Sequence, residues 1–176
     1  MKIATWNVNS MKVRLPHVME WMQANEPDVL VLQEIKQVTE AFPAAELLEA
    51  GYQSLANGQK TYNGVAVISK TALADPVIEF PGFDDPQRRV LATTIDGVRV
   101  VNLYIPNGSE VGSEKYDYKL RWLATLRDFL EDEMSRHDNL VVLGDFNIAP
   151  ADEDVYDAEK WGDAILCSPK EREALG

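Results

Sequence analysis

Asp145 and Asn147 follow an apolar strand pattern and carry the oxygen-rich side chains that can act together on one substrate. The segment Leu140 to Pro150 reads LVVLGDFNIAP, and its apolar run stops at Gly144. Residues two apart in an extended chain point to the same side, so the pattern predicts a buried strand that presents both polar side chains to one site. The alternative is an ordinary turn, in which Asp and Asn only satisfy nearby backbone donors.

Three further strand patterns also end in polar side chains. They are Met1 to Asn7 followed by Asn9, Asp28 to Gln33 followed by Glu34, and Val98 to Tyr104 with Asn102 two positions before Tyr104. Sites form where the strand ends of helix-covered sheets deliver side chains, so four such ends predict one shared site. A carboxylate in the position of Glu34 needs a partner, and both a salt bridge to Lys36 and a metal ion remain open.

The side chains at these strand ends are all oxygen donors, without a Cys or His cluster. This set favours a hard cation, Mg²⁺ or Mn²⁺, over zinc. Sites of this kind usually act on phosphate: a carboxylate prepares the attacking water, while amide and phenol groups hold the phosphate.

The remaining patterns indicate an α/β chain. Further strands are predicted at Tyr52 to Ala56 and Gly64 to Ser69, as antiparallel neighbours, and at Arg89 to Ile95, which forms a hairpin with Val98 to Tyr104 around Asp96-Gly97. Helices are predicted at Val13 to Asn25, Ala41 to Ala50 and Ser113 to His137, and a further helix begins with the capping box of Ser168 and Glu171.

The longest of these helices has a predicted apolar stripe and an acidic run. The stripe comprises Tyr116, Leu120, Leu123, Leu126, Leu130 and Met134. The run Glu131-Asp132-Glu133 is interpreted as a solvated face. His17 is interpreted as a surface residue and His137 as a helix-end residue.

Composition limits the functional classes. The chain has 176 residues, 45% of them hydrophobic and 26% charged, which suits one globular domain. No apolar run reaches the roughly 18 residues of a membrane span, and neither an export signal nor a second cysteine to pair with Cys167 occurs, so we expect a cytoplasmic protein without a membrane role. The net charge of −12 requires that any contact with nucleic acid be made through a local basic patch or a bridging cation.

Six motifs, in this order, resemble the exonuclease III branch of the endonuclease/exonuclease/phosphatase superfamily. They are Asn7-Val8-Asn9-Ser10 with Arg14, Leu32-Gln33-Glu34-Ile35-Lys36, Tyr62-Asn63-Gly64-Val65-Ala66, Gln87-Arg88-Arg89, Asn102-Leu103-Tyr104-Ile105-Pro106-Asn107-Gly108 and Gly144-Asp145-Phe146-Asn147. The resemblance implies a four-layer sandwich of two mixed β-sheets flanked by helices. It also implies a monomeric, Mg²⁺-dependent (or Mn²⁺-dependent) DNA repair nuclease. Such an enzyme is a 3′ to 5′ exodeoxyribonuclease on double-stranded DNA, with abasic-site endonuclease and 3′-end-cleaning reactions.

The same resemblance assigns roles to individual residues. Glu34 is the direct metal ligand, with Asn7 as a second ligand or its support, and Asp145 and Asn147 complete the metal-binding set. Asp145 orients or deprotonates the attacking water, Asn147 binds the phosphate and stabilises the transition state, and Tyr104 contacts the scissile phosphate.

Three further residues are expected to bind DNA: Arg88, Arg89 and Asn102. The two arginines form a local basic element that either contacts the DNA backbone or braces the site, and a surface ion pair with Asp84 or Asp85 is an equal alternative.

The resemblance also implies segments that this chain lacks. Family members carry an Asn-Gly-x-Arg-x-Asp-His segment and a terminal Ser-Asp-His in a later half, and neither occurs here. We therefore expect residues 1–176 to form a single domain that is incomplete at its C-terminus and poorly active. Two other functions stay open: hydrolysis of a different phosphate ester, and a non-catalytic module that binds DNA ends.

Overall fold

A computed structural model describes residues 1–176, with eight strands and five α-helices. The strands are β1 (Ile3–Asn7), β2 (Val29–Gln33), β3 (Gln53–Asn57), β4 (Val65–Ser69), β5 (Ala74–Val77), β6 (Val90–Ile95), β7 (Val98–Tyr104) and β8 (Leu140–Asp145). The α-helices are α1 (Met11–Asn25), α2 (Ala44–Glu49), α3 (Glu114–Arg136), α4 (Ala158–Trp161) and α5 (Pro169–Leu175), and short 3₁₀ turns occupy Thr39–Ala41 and Asp152–Asp154. None of the helices combines the length and the apolar character that a membrane span requires.

These elements confirm the predicted strands and add one. The predicted antiparallel pair β3 and β4 and the hairpin of β6 and β7 both form. The strand that the sequence did not reveal is β5, which contains Pro76 and pairs with β6 through an irregular register. Proline lacks the N–H that a central strand needs, so this strand occupies the edge of its sheet.

The chain forms two compact units. The first contains Met1–Tyr104 and Glu133–Asp145, and the second contains Ile105–Asp132 and Phe146–Gly176. The prediction that residues 1–176 make one incomplete domain stays a prediction.

The first unit holds two mixed, four-stranded sheets. Their strand orders are β1-β2-β4-β3 and β5-β6-β7-β8. In each sheet one pair is parallel, β1 with β2 and β7 with β8. The C-terminal ends of parallel strands lie on the same side of a sheet, so Asn7 lies opposite Gln33, and Tyr104 lies opposite Asp145. In each sheet the strand register alone thus brings the predicted site residues together at the C-terminal ends of the parallel strands.

The core of the first unit lies between and behind these sheets. β2 and β4 are buried at every position, because each is a central strand of its sheet. Between the sheets lies an apolar cluster of Val29, Val31, Val65, Val67, Leu91, Ile95 and Val100. The other face of the first sheet packs against helices through Val18 and Met22 of α1 and Leu47 of α2.

The strand β8 is half-buried along its whole length, which corrects the prediction of a buried strand. It is the last strand of its sheet and pairs only with β7. Its apolar sequence indicates its conformation correctly but not its position in the sheet.

The end of α3 corrects another prediction. Glu133, assigned to a solvated acidic face, has no exposed surface and pairs with Arg99 of β7, whose exposure is 2%. Arg99 also donates to the carbonyl of Asp75 at 2.7 Å, and Arg136 donates to Glu133 at 2.6 Å. Met134, predicted on the apolar stripe, is 57% exposed. At this end of α3 the buried face is therefore displaced from the predicted apolar stripe: it includes the paired carboxylate of Glu133 and excludes Met134.

Replacing Gly144 by alanine is expected to destabilise the fold strongly. Gly144 has a φ of +145°, and a Cβ there would lie 2.0 Å from the carbonyl oxygen of Leu103, a backbone atom that cannot move aside. We expect Gly144→Ala to lower the free energy of unfolding by about 3 to 5 kcal/mol, measured by urea denaturation. Gly82→Ala is the control, because its φ of +76° is strained but its Cβ would meet nothing within 4 Å. An equal loss of about 1 to 2 kcal/mol in both variants would mean that the contact with Leu103 is unimportant.

Candidate active site

Asn7 links two carboxylates at the edge where the parallel strands end. Its amide nitrogen donates to Glu34 Oε1 and to Asp145 Oδ2, each at 2.8 Å. Its amide oxygen accepts from the backbone N–H of Asn9 at 3.1 Å. Since both protons of the amide point at carboxylates, Asn7 acts in this arrangement as the support of Glu34 and Asp145, which is one of its two predicted roles.

The loops that carry these side chains have an unusual backbone. Glu34 and Lys36 adopt positive φ angles of 53° and 54°, and Asn9 one of 44°. Such a conformation costs roughly 1 to 2 kcal/mol for a residue with a Cβ, and it accumulates at functional sites. Backbone hydrogen bonds hold it: Ser10 N–H donates to the carbonyl of Glu34 at 2.7 Å.

Glu34 is charged and well supported. Burial raises the pKa of its carboxyl, but hydrogen bonds from Asn7, Lys36 and Tyr104 outweigh burial, so the pKa of Glu34 lies below its usual value. The ammonium of Lys36 lies 2.9 Å from Glu34 Oε2, so the salt bridge, one of the two alternatives for this carboxylate, is present. The stabilisation that the charged form provides is complete above pH 4.5 and is lost as the pH falls through the lowered pKa.

Tyr104 completes this group as a hydrogen-bond donor. Its phenol donates to Glu34, and burial together with the charge of Glu34 raises the pKa of Tyr104 to about 12. The guanidinium of Arg89 lies 4.5 Å from the centre of the Tyr104 ring and donates to the Tyr104 carbonyl at 3.0 Å. Tyr104 is thus a protonated phenol at neutral pH, and the guanidinium of Arg89 packs over the face of its ring.

Tyr104 is expected to titrate far above an ordinary tyrosine. The absorbance difference at 295 nm between the wild type and Tyr104→Phe should be centred near pH 12, with circular dichroism reporting the folded state. Because the pKa is raised, the stabilisation by the protonated phenol is full below pH 10 and disappears as the pH rises through about 12. Tyr62→Phe, at a side chain that is 66% exposed, is the control. If the absorbance change assigned to Tyr104 has its midpoint near pH 10 while the protein is folded, the buried contact with Glu34 is contradicted.

The structure corrects the prediction that Asn102 binds DNA. Asn102 has no exposed surface, and its amide nitrogen donates to the carbonyls of Leu32 and Ala66, both at 2.9 Å. Its oxygen accepts from Gln33 Nε2 at 2.8 Å. Every polar atom of the side chain is therefore used inside the protein, where it joins β7 of one sheet to β2 and β4 of the other.

The two arginines differ in their surroundings. Arg89 is only 9% exposed, and its Nε donates to Gln87 Oε1 at 2.7 Å, so it fits the predicted bracing role and not a DNA contact. Arg88 is half-buried, and its backbone is fixed by Gln59 Oε1, which accepts from its N–H at 2.9 Å. Asp85, a suggested partner for these arginines, accepts from the backbone N–H of Gln87 at 2.9 Å.

Asn147 belongs to the second unit, which positions it through its own contacts. Its amide nitrogen donates to the carbonyl of Ile105 at 2.9 Å, and its oxygen accepts from Asn107 Nδ2 at 3.3 Å. Its φ of +48° is one that asparagine tolerates better than most residues. The sequence motifs contain both Asn147 and Asn107 but assigned no role to Asn107. They gave no indication of Lys119, which donates to the Asn147 carbonyl at 2.6 Å.

The first unit offers a divalent cation two carboxylates, those of Glu34 and Asp145. No three His, Cys, Asp or Glu side chains lie close enough together to hold a metal by themselves. Magnesium, however, usually binds to one or two carboxylates and completes its shell with water and substrate phosphate. The paired carboxylates of Glu34 and Asp145, joined through Asn7, fit that kind of site.

The two mixed sheets and the carboxylates at their strand ends define a class of phosphate-ester hydrolase. Residues 4–172 match the profile of the Endonuclease/Exonuclease/phosphatase family, and the chain belongs to this family. The resemblance that the six motifs carry is thereby confirmed.

Individual relatives are nucleases. Exodeoxyribonuclease III of Haemophilus influenzae is 32% identical, over 98% of this chain and 69% of that protein. Two structures of NExo from Neisseria are 53% identical with a TM-score of 0.98 and cover 99% of this chain; one is described as a 3′-5′ exonuclease and one as a 3′ phosphatase bound to product DNA hairpin. This chain covers 68% and 69% of those structures. An AP endonuclease from Archaeoglobus fulgidus is 36% identical, with a TM-score of 0.94 over 99% of this chain and 68% of that one.

Proposed function

We propose that this protein is a Mg²⁺-dependent DNA repair nuclease that removes nucleotides from the 3′ ends of double-stranded DNA. The observation that carries the proposal is the single amide of Asn7 that holds two carboxylates, with a protonated phenol bound to one of them. The nuclease relatives support DNA as the substrate. Cleavage at abasic sites and removal of 3′ phosphates are further reactions of the same kind, suggested by the relatives that perform them.

The residues of the first unit divide the chemistry among them. Asp145 accepts a proton from the attacking water, whose oxygen bonds to phosphorus while the bond between phosphorus and the preceding 3′ oxygen breaks. That oxygen takes up a proton from solvent, and Asp145 later releases its own proton to solvent. Tyr104 stays protonated, and its single O–H turns from Glu34 to donate to a phosphate oxygen as negative charge builds there. For Asn147, which belongs to the second unit, the proposed role is to bind phosphate through its amide. The products are a 5′ mononucleotide and a strand shortened by one residue.

The family depends on a divalent metal, and we infer that Mg²⁺ is the ion used here, with Mn²⁺ as a substitute. Glu34 and Asp145 would hold the ion, which would supply a positive charge that a phosphate can approach. This charge matters for a chain with a net charge of −12, which would otherwise repel DNA. The enzyme is expected to act as a monomer in the cytoplasm.

The test is release of nucleotides from 3′-labelled duplex DNA by this chain in Mg²⁺, in Mn²⁺ and in EDTA. Parallel substrates are a duplex with an abasic site, a duplex with a 3′ phosphate, single-stranded DNA and an inositol phosphate. We expect release from the duplexes in either metal and none in EDTA. Release that persists in EDTA, or hydrolysis of the inositol phosphate alone, would overturn the proposal. A folded chain that binds duplex DNA without cleaving it would support the non-catalytic alternative.

A further inference from the structure

Lys119 is a fully buried lysine whose ammonium group lies against two backbone carbonyls of the second unit. The side chain has no exposed surface. Its Nζ donates to the carbonyl of Asn147 at 2.6 Å and to that of Asn107 at 3.2 Å, and it forms an ion pair with Glu171. A buried ammonium requires such partners, because an unpaired one would lose its hydration without compensation.

The two residues whose carbonyls it binds are also joined through their side chains. Asn107 Nδ2 donates to Asn147 Oδ1 at 3.3 Å, and Asn147 Nδ2 donates to the carbonyl of Ile105 at 2.9 Å. Lys119 therefore fixes the main chain of both asparagines while their amides bind each other. A shift of the ammonium would move both amides together.

The ammonium is itself held in place by a rigid carboxylate. Glu171 has no exposed surface, and its Oε1 accepts the backbone N–H of Leu166 at 3.1 Å. Its Oε2 accepts from the backbone N–H and the hydroxyl of Ser168, at 3.1 and 2.7 Å. The same hydroxyl lies 2.6 Å from the phenol oxygen of Tyr116, on the helix that carries Lys119. Both ends of the ion pair are therefore fixed by neighbouring hydrogen bonds.

We propose that Lys119 is a positioning residue: its ammonium fixes the backbone of Asn107 and Asn147 so that the Asn147 amide is set for the substrate phosphate. This rests on the phosphate-binding role proposed for Asn147. A purely structural lysine would stabilise the fold without affecting the asparagine amides, and the two roles can be separated by experiment.

The variant Lys119→Met keeps the length and apolar stem of the side chain but removes the ammonium. Its matched control is Arg99→Met, which removes a cation of equal burial that also pairs with a buried glutamate and binds a backbone carbonyl, that of Asp75. Lys119→Met leaves the buried carboxylate of Glu171 without its cation, whereas in Arg99→Met the buried carboxylate of Glu133 loses one of its two cations and keeps Arg136. Both variants should therefore lose thermal stability, and Lys119→Met should lose more. Only Lys119→Met should shift the side-chain amide signals of Asn107 and Asn147 in ¹H–¹⁵N spectra.

Activity on labelled duplex DNA gives the second measurement. Lys119→Met should lower kcat by about 10- to 100-fold with little change in KM, as expected for a misplaced transition-state contact, while Arg99→Met should leave kcat unchanged. In the background of Asn147→Ala, the loss caused by Lys119→Met should shrink to about twofold or less, because two residues that act through one contact are not additive.

Several outcomes would overturn the proposal. Unchanged asparagine amide signals in Lys119→Met would do so, as would an undiminished loss of kcat in the Asn147→Ala background. If Lys119→Met does not fold, Lys119→Arg and Arg99→Lys replace the pair, since both keep a cation but only the first displaces the donors at Asn107 and Asn147. If the wild-type chain releases no nucleotide, the proposed function fails, and the amide signals alone decide whether Lys119 positions the asparagines.

Discussion

Asp145→Asn is expected to lower the rate of nucleotide release by about 1,000-fold, since a general base contributes roughly 10²- to 10⁴-fold to such reactions. The amide is nearly the same size as the carboxylate, and its oxygen can still accept from the Asn7 nitrogen that lies 2.8 Å from Asp145. The substitution therefore removes the base and weakens one proposed metal ligand while it preserves the contact with Asn7. At saturating Mg²⁺, the loss of one negative charge from an acidic protein should leave the affinity for DNA equal or higher while kcat falls.

The measurement is steady-state release from 3′-labelled duplex DNA, with DNA affinity determined separately. Asp138→Asn is the matched control, because it removes the same charge from an exposed side chain that precedes β8, whereas Asp145 ends that strand. A similar kcat in Asp145→Asn and the wild type would rule out Asp145 as the base. Equal losses in both variants would point to net charge as the cause.

Glu34→Gln is expected to lower kcat by about 100- to 1,000-fold and to raise the Mg²⁺ concentration needed for half of the maximal rate. The glutamine oxygen can keep the hydrogen bond from Asn7, but it cannot balance the ammonium of Lys36, 2.9 Å away from the glutamate, or a divalent cation. The loss should therefore be largest at low Mg²⁺ and smaller at saturating Mg²⁺.

The measurement is the rate of nucleotide release by Glu34→Gln and by the wild type over a series of Mg²⁺ concentrations, with the rate in EDTA as the baseline. Glu40→Gln is the control, an exposed carboxylate in the segment that follows the same strand. If Glu34→Gln lowers the rate by the same factor at every Mg²⁺ concentration, Glu34 supports the site without binding the ion. That outcome would transfer the metal-binding role to Asp145 alone.

Sequence patterns could predict the strand ends because a strand and its exit are local features. Three strands end where the sequence predicted. They are the apolar runs that precede Glu34 and Asp145 and the segment that ends at Tyr104. What joins these ends is the register of two parallel pairs and the hydrogen bonds of Asn7, which depend on residues 27 and 138 positions away. The resemblance to a family supplied that long-range information.

The errors in the sequence analysis concern polar residues inside the protein. Asn102, two positions before Tyr104, was predicted to contact DNA, and Glu133, in an acidic run, was predicted to face solvent. Both have no exposed surface. Asparagine and glutamate are usually exposed, and their burial depends on partners distant in the sequence, such as Ala66 for Asn102 and Arg99 for Glu133. Local patterns do not report such partners.

The buried amide of Asn102 has a consequence for how the enzyme can change over evolution. Asn102 lies on a strand of one sheet and binds the carbonyls of Leu32 and Ala66 in the other, so it fixes the position of the two sheets relative to each other. Sliding either sheet by one residue would break three buried hydrogen bonds. The loops at the strand ends can therefore change in sequence, length or charge to suit new substrates, while the relative positions of Glu34 and Tyr104 are preserved.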